Sequence, residues 1–226
     1  MPKLIRRKEL LELIEEGENL HCEFKLRFSS PEKIAKEIIA FANTSGGYIL
    51  FGIDDDKRVI GVQSEKGESE LIENAIRDFC EPYIEHSTLY FDIDGKEIVA
   101  VFVPESETKP HRITDYNESL DVNTALVYIR VNDKSVQAGK EMIRLFKSNS
   151  TDSQLTKYAI GHLEKMVFDH LEKFETISVK ELMSNGNLSN RRASRTLTKM
   201  VRAGLLLIHT KDNGESYFTI KSWGVI

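Results

Sequence analysis

The segment from residue 188 to residue 204 reads LSNRRASRTLTKMVRAG and carries four clustered cations, Arg191, Arg192, Arg195 and Lys199. Ser189 is a suitable N-cap for a helix over residues 190–203, and apolar residues recur at helical spacing between the cations. Arginine can donate two hydrogen bonds to guanine, and both cation types neutralise phosphates. The cluster therefore predicts nucleic-acid contact. The alternative is a solvated basic face on a protein-interaction module.

Three carboxylates form a second set that could do chemistry. Glu18 and Glu23 lie around the start of a short predicted strand, and Asp54 ends another strand. If these side chains converge, they suit a hard cation such as Mg²⁺ or Mn²⁺, which would activate water and offset the charge on a phosphate. In the alternative, Glu18 and Asp54 are turn acids and Glu23 pairs structurally with Lys25 or with a backbone donor.

A glycine-containing turn is the third candidate, with Asn43, Thr44, Gly46 and Gly47 as its anion-binding or nucleotide-binding residues. Backbone amides in such turns can cradle a phosphate. The turn leads into a strand, however, whereas the phosphate-binding loop with the Gly-x-x-x-x-Gly-Lys-Ser/Thr pattern opens a helix. A purely structural turn is therefore the favoured interpretation.

The predicted elements position these residues in two regions. In the first, periodicity, caps and turn residues predict helices over 8–16, from Pro31 to about 44, 71–80 and 139–146, and strands over 22–26, 48–53, 59–62, 89–93, 97–103 and 127–131. In the second, they predict helices over 155–174, 179–183 and 190–203, followed by a hairpin of residues 205–210 and 216–220. The polar segment KSNSTDS suggests a linker over 148–153 between domains spanning 1–147 and 154–226.

Composition limits the class of protein. The 226 residues are 40% hydrophobic and 30% charged, which is typical of a globular protein with a sizeable core. No apolar run approaches a membrane span, and residues 1–17 lack the pattern of a signal peptide, so we expect a cytoplasmic protein that does not contact membranes. The two cysteines support neither a disulfide framework nor a structural zinc site.

Charge is distributed unevenly within the formal total of −5. Residues 1–150 hold 20 basic and 28 acidic side chains, whereas residues 151–226 hold 11 basic and 8 acidic side chains. Nucleic-acid binding depends largely on phosphate neutralisation. The C-terminal region is therefore the better candidate for contact with a duplex.

Several motifs appear in the order found in one known family: Glu-Phe-Lys at 23–25, Ala-Phe-Ala-Asn-Thr at 40–44 with Gly-Gly after it, Phe-Gly-Ile-Asp at 51–54, Lys-Pro at 109–110 and Tyr-Ile-Arg-Val at 128–131. Together they resemble the Schlafen AlbA-type domain over roughly residues 10–147. The resemblance implies a mixed-sheet α+β domain that binds nucleic acid. In Schlafen nucleases a similar acidic set binds divalent metal for phosphodiester cleavage, and the matching positions here are Glu18, Glu23 and Asp54.

The C-terminal region, three helices followed by a two-stranded hairpin, resembles a winged helix-turn-helix module of bacterial transcriptional regulators. In that module the helix over 190–203 enters the major groove and the Asn213-Gly214 turn is the wing tip. The resemblance implies the DNA-binding residues Ser189, Asn190, Arg191, Arg192, Arg195, Lys199 and Lys211.

The sequence thus predicts a DNA-binding protein, a transcriptional regulator that reads duplex DNA as a homodimer through its C-terminal winged helix. One alternative is a metal-dependent nuclease acting on RNA or DNA with Mg²⁺ or Mn²⁺ at Glu18, Glu23 and Asp54. The other is a nucleotide-binding accessory protein. No cofactor is required by the first hypothesis.

Overall fold

The computed structural model describes residues 5–149 and 158–221, and the chain divides into two compact units, residues 1–137 and 138–226. Helices and mixed sheets occur together, which confirms the predicted α+β class. The elements of the first unit are α1 (Arg7–Glu16), β1 (Cys22–Lys25), α2 (Pro31–Asn43), β2 (Gly47–Phe51), α3 (Glu65–Phe79), β3 (Cys80–Glu81), β4 (Ser87–Ile93), β5 (Lys96–Val103), β6 (Arg112–Ile113), β7 (Tyr128–Val131) and β8 (Lys134–Gln137).

A four-stranded sheet with the order β1-β2-β5-β4 is the centre of the first unit. Strands β1 and β2 are parallel, with Glu23 opposite Ile49, and the other two pairings are antiparallel. Two short ribbons, β3-β6 and β7-β8, complete the β-structure of this unit. The parallel pair is connected by α2, which is the usual crossover for such a pair.

The sheet carries a hydrophobic core on each face because its strand residues alternate in direction. On one face Ile49 and Val101 pack with Ile38 of α2 and Ile76 of α3. On the opposite face a second set of buried residues packs with α1, namely Leu10, Ile14, Phe24, Leu50, Ile98 and Ala100. The sheet is thus covered on both faces.

The connection from α2 to β2 depends on its two glycines. Gly46 has φ of 70°, a conformation that favours glycine. At Gly47 a Cβ atom would lie 2.4 Å from the carbonyl oxygen of His21 and 2.5 Å from Cε1 of Phe41. The close approach of β1 to the end of α2 therefore requires glycine at position 47.

The second unit consists of α4 (Lys140–Asn149), α5 (His162–Phe174), β9 (Ile177–Ser178), α6 (Val179–Gly186), α7 (Asn190–Arg202), β10 (Leu206–Thr210) and β11 (Ser216–Ile220). Its three strands form an antiparallel sheet with the order β10-β11-β9. A separate core joins the helices to the sheet through Val167, Leu171, Leu182, Leu197 and Phe218.

The largest differences from the predicted elements are as follows. No strand forms over 59–62, where Val59 makes only an isolated bridge to Ile53. Helix α3 begins at Glu65 because Ser64 caps it by accepting a hydrogen bond from the Gly67 amide. Helix α5 begins at His162, after Gly161, whereas the predicted start at residue 155 lies outside the described residues. The short strands β3, β6, β8 and β9 were not predicted, since two to four residues carry little periodicity.

The predicted linker remains a prediction. Residues 150–153 lie outside the described residues, and residues 148 and 149 are the last two of α4. Within the described ranges, no helix is both long enough and apolar enough to cross a membrane.

Candidate functional site

Helix α7 presents a continuous basic surface. Arg191, Arg192, Arg195 and Lys199 are exposed, and Arg202 is half-buried. At about 100° per residue these five positions fall within a stripe about 100° wide. We call them the basic ridge. Arg202 was missed by sequence reasoning, although its spacing of three from Lys199 and seven from Arg195 places it on the same helix face.

The start of α7 is positioned by its cap and its core. Ser189 Oγ accepts a hydrogen bond of 3.4 Å from the Arg192 amide. Ala193, Leu197 and Met200 are fully buried on the opposite side of the helix. This packing leaves the cations as the outward-facing side chains, and their contact with nucleic acid stays a prediction.

The body of α7 also contains three hydroxyl residues. Ser194, Thr196 and Thr198 are all buried. Ser194 Oγ accepts a 2.6 Å hydrogen bond from Arg144 Nη1 and donates one of 2.6 Å to Glu141 Oε1, so it joins α7 to α4. Helix α7 contains no acidic residue that would offset the charge of the ridge.

The hairpin that follows α7 places Lys211 at its turn. Lys211 is exposed, and its Nζ lies 5.8 Å from the centre of the Tyr217 ring. Beside it, Glu215 pairs with Lys180 at 2.7 Å, and this hydrogen bond lowers the pKa of Glu215. The hairpin turn thus combines one exposed cation with a paired acid.

Each of the three predicted metal-binding carboxylates has its own protein partners. Glu18 Oε1 accepts a hydrogen bond of 2.9 Å from the Phe24 amide, and burial raises the pKa of Glu18. Asp54 accepts hydrogen bonds from the Arg58 amide and the Arg58 side chain, both at 2.8 Å. These bonds lower the pKa of Asp54. The hydrogen bond of Glu18 to a backbone amide and the pairing of Asp54 with Arg58 do not favour a shared metal ion.

Glu23, the third carboxylate, lies in a buried charged cluster. Its Oε1 accepts from Lys25 Nζ, and its Oε2 lies 2.8 Å from Arg130 Nη1. In residues 5–149 and 158–221 no group of three or more His, Cys, Asp or Glu side chains is arranged to hold a metal ion. The residues present therefore do not fit the metal site implied by the Schlafen resemblance.

Arg130 connects Glu23 to the rest of the cluster. Its Nη1 lies 3.3 Å from Glu37 Oε2 and 3.2 Å from Ser135 Oγ, and its Nη2 donates to the Asn19 carbonyl oxygen at 2.8 Å. Ser135 Oγ also donates to Glu37 Oε2. The sequence indicated the Tyr-Ile-Arg-Val motif but gave no role to its arginine.

The polar groups of the glycine-containing turn are engaged within the protein. Asn43 Nδ2 donates to the carbonyl oxygens of His111 and Tyr128, at 2.8 and 3.0 Å, and its Oδ1 accepts from the His111 amide. Thr44 Oγ1 donates to the Ala40 carbonyl oxygen, and the Gly46 amide donates to that of Phe41. These contacts favour the structural interpretation of the turn over an anion cradle.

His111 is also held by specific contacts. It is almost fully buried, with Nδ1 2.9 Å from the Pro82 carbonyl oxygen and Nε2 2.6 Å from Ser106 Oγ. Burial lowers the pKa of His111, and this effect outweighs the hydrogen bond to Pro82, which raises it. His111 is therefore a neutral internal group that connects two loops.

Comparison with known proteins identifies the first unit. A sequence model of the family described as Schlafen, AlbA_2 matches residues 18–139. An uncharacterized ATP-binding protein of Ureaplasma parvum serovar 3 is 38% identical over 87 residues, which cover 36% of this chain and 24% of that protein. The match thus spans about a quarter of that relative's length.

Two solved structures show low similarity to this chain. One is the N-terminal domain of an ATP-dependent DNA helicase RecG-related protein from Nitrosomonas europaea, with a TM-score of 0.42 and 24% identity over 52% of this chain and 84% of that one. The other is a protein from Corynebacterium diphtheriae, with a TM-score of 0.45 and 15% identity over 69% of this chain and 34% of that one.

Proposed function

The chain belongs to the Schlafen, AlbA_2 family over residues 18–139, and we propose that it is a DNA-binding protein that contacts duplex DNA through α7. The basic ridge is the observation that carries this proposal. Five cations on one face of a 13-residue helix, without an acid on that helix, form an electrostatic footprint suited to a phosphate backbone.

The arrangement of the second unit supports a winged helix module. Helices α5, α6 and α7 are followed by the β10-β11 hairpin, and β9 joins the sheet between α5 and α6. In a winged helix of this layout, α6 and α7 form the helix-turn-helix and the hairpin is the wing. The ridge would then lie on the recognition helix, and Lys211 on the wing.

The charges on α7 favour nucleic acid over a protein partner. Interfaces between proteins are enriched in aromatic residues and methionine as well as arginine, and they are depleted of lysine. The ridge instead presents arginine and lysine side chains only. Arginine near the start of a recognition helix can also donate paired hydrogen bonds to guanine in the major groove.

Regulation of transcription and dimerisation extend the proposal. A winged helix regulator commonly reads two half-sites as a dimer, with centres about 34–36 Å apart or at multiples of that spacing. The homodimer, the duplex target and the regulatory role are therefore proposed together. Size measurement of the complex on a defined duplex distinguishes one bound chain from two.

The direct test compares two double variants of the full chain. Arg191→Ala/Arg195→Ala removes two ridge cations, whereas Arg7→Ala/Arg77→Ala removes two exposed arginines from the first unit and changes the net charge equally. Duplex affinity is measured over a range of salt concentrations by fluorescence anisotropy. We expect the ridge variant to bind more weakly, and the fall of log affinity with log salt to be less steep by about two units.

The control variant is expected to retain the affinity and slope of the parent protein. If both double variants behave alike, the contacts depend on net charge and α7 is not the DNA-binding element. A parallel titration with single-stranded RNA of the same length tests whether the ligand is RNA. Tighter binding of the RNA than of the duplex DNA would identify RNA as the ligand.

Nucleotide binding is the second candidate function, favoured by the description of the Ureaplasma relative as ATP-binding. A ligand that binds only the folded protein raises its stability in proportion to ln(1 + [L]/Kd). Thermal denaturation with increasing ATP tests this candidate. A midpoint that stays constant up to millimolar ATP would remove it.

A further inference from the structure

The buried charged cluster of the first unit contains two acids and two cations. Glu23 and Glu37 have side chains only 10% and 11% exposed, and the side chain of Arg130 is fully buried. Lys25, 25% exposed, pairs with Glu23 from the rim. With all four groups ionised, the cluster is electrically neutral.

Glu23 and Glu37 are two buried carboxylates that approach the same position, and such a pair needs a cation between its members. Like charges in a poorly solvated site repel strongly, and a buried charge without a partner is costly. A divalent metal ion or a basic side chain can meet this requirement. Here Arg130 Nη1 reaches both acids, at 2.8 Å from Glu23 and 3.3 Å from Glu37.

We infer that the guanidinium of Arg130 is an internal cation that takes the place of a divalent metal ion between Glu23 and Glu37. The Glu23–Arg130–Glu37 cluster is then a structural clasp of the AlbA_2 unit, and its carboxylates become a cation site only when Arg130 is removed. This role differs from the metal-binding role that the Schlafen resemblance implies for Glu23.

The surroundings of Arg130 match a permanent side chain rather than an exchangeable ion. The guanidinium carbon lies 4.7 Å from the centre of the Phe41 ring, in a cation–π contact. The Arg130 amide donates to Thr44 Oγ1 at 2.8 Å, and Nη2 donates to the Asn19 carbonyl oxygen at 2.8 Å. A metal ion could use neither the aromatic face nor the fork of donors in this way.

The clasp also explains why separated sequence motifs occur together. Glu23 belongs to the Glu-Phe-Lys motif on β1, Thr44 follows the Ala-Phe-Ala-Asn segment that ends α2, and Arg130 belongs to the Tyr-Ile-Arg-Val motif on β7. Arg130 contacts the other two directly. The three motifs thus meet at one residue, whose backbone amide contacts Thr44 and whose guanidinium contacts Glu23.

Metal binding by the full chain and its variants tests the inference. Thermal denaturation is followed during titration with MnCl₂ and, separately, CaCl₂. We expect no change in the midpoint of the parent protein. Arg130→Ala should melt at a lower temperature, and metal should raise its midpoint by on the order of 5 °C at a hundredfold excess over Kd.

Two further variants make the result specific. Arg130→Ala/Glu37→Gln keeps the cavity but removes one carboxylate, so it should lose the metal response. Arg130→Lys keeps a cation near both acids, so it should fold without any metal response. A metal response in Arg130→Lys equal to that of Arg130→Ala would contradict the inference.

The parent protein and Glu23→Gln decide the question even if Arg130→Ala does not fold. The inference would be overturned if MnCl₂ raised the melting midpoint of the parent protein but not that of Glu23→Gln. Glu23 would then be a metal ligand beside Arg130. The absence of a response in the parent protein and in Arg130→Lys supports the internal cation.

Discussion

The two units use arginine in opposite ways. In the AlbA_2 unit the side chain of Arg130 is fully buried between two acids, and its guanidinium contacts Glu23, Glu37 and the Asn19 carbonyl oxygen. In the second unit Arg191, Arg192 and Arg195 are exposed on a helix without acids. The same residue type is a structural cation in one unit and a candidate ligand-binding group in the other.

This difference shows that the role of a charged residue depends more on its position in the fold than on the net charge of its region. Residues 1–150 are acidic overall, yet their most buried cation, Arg130, pairs with carboxylates inside the fold. Helix α7 buries its apolar and hydroxyl side chains and leaves its cations in solvent. Removing an arginine should therefore affect stability in the first unit and binding in the second.

The largest effect is expected from Arg130→Ala. Breaking a buried ion pair by removing one partner leaves uncompensated buried charge and costs about 3–5 kcal/mol. Urea denaturation of the full chain, monitored for the first unit, measures the free energy of unfolding. Arg58→Ala removes an arginine that is 68% exposed in its pair with Asp54, and it should leave the stability within experimental error. Equal losses in the two variants would contradict the distinction.

Arg195→Ala should show the reverse behaviour. We expect duplex binding to weaken by about 1–3 kcal/mol, while the midpoint of urea denaturation stays constant because the side chain is exposed on α7. Lys165→Ala, an exposed cation of α5, is the control for binding. A loss of stability in Arg195→Ala without a loss of affinity would mean that the ridge is structural.

Ser194→Ala tests the buried side of α7. The hydroxyl of Ser194 accepts from Arg144 and donates to Glu141, and its loss leaves both partners short of a hydrogen bond. We expect the second unit to lose about 1–2 kcal/mol of stability, with the salt dependence of duplex binding unchanged. Ser184→Ala, at an exposed hydroxyl, should have little effect. A changed salt slope would place Ser194 in the DNA contact.

The smallest effect concerns the pH dependence of the first unit. The pKa of His111 is lowered by burial, so the folded protein binds this proton less readily than the unfolded chain does. The stabilisation is present above the unfolded pKa of about 6.5 and is lost as the pH falls through the folded pKa. Between about pH 7.5 and about pH 5.5 the parent protein should lose more stability than His111→Gln. If the free energy of unfolding depends on pH in the same way in the parent protein and in His111→Gln, His111 does not contribute to the pH dependence of stability.

Sequence reasoning succeeded where the signal is local. Ser30 and Ser189 cap α2 and α7 as expected, and the Asp94-Gly95 turn joins β4 to β5. The exposed cations of α7 were also correctly identified, because helical periodicity separates them from the buried Leu197. Caps, turns and periodicity depend on residues within a few positions of one another, so one sequence contains them.

The sequence by itself therefore determined the α+β class, most helix and strand positions and the outward face of α7. Only the tertiary structure decided the partners of the buried charges. Glu23 and Arg130 are separated by 107 positions, and Ser194 and Glu141 by 53. Such pairs depend on the register of distant strands and on how helices pack, and the hydrophobic pattern of a single chain does not specify them. From the sequence Glu23 is a candidate metal ligand, and only the fold shows that the Arg130 guanidinium lies 2.8 Å from its carboxylate.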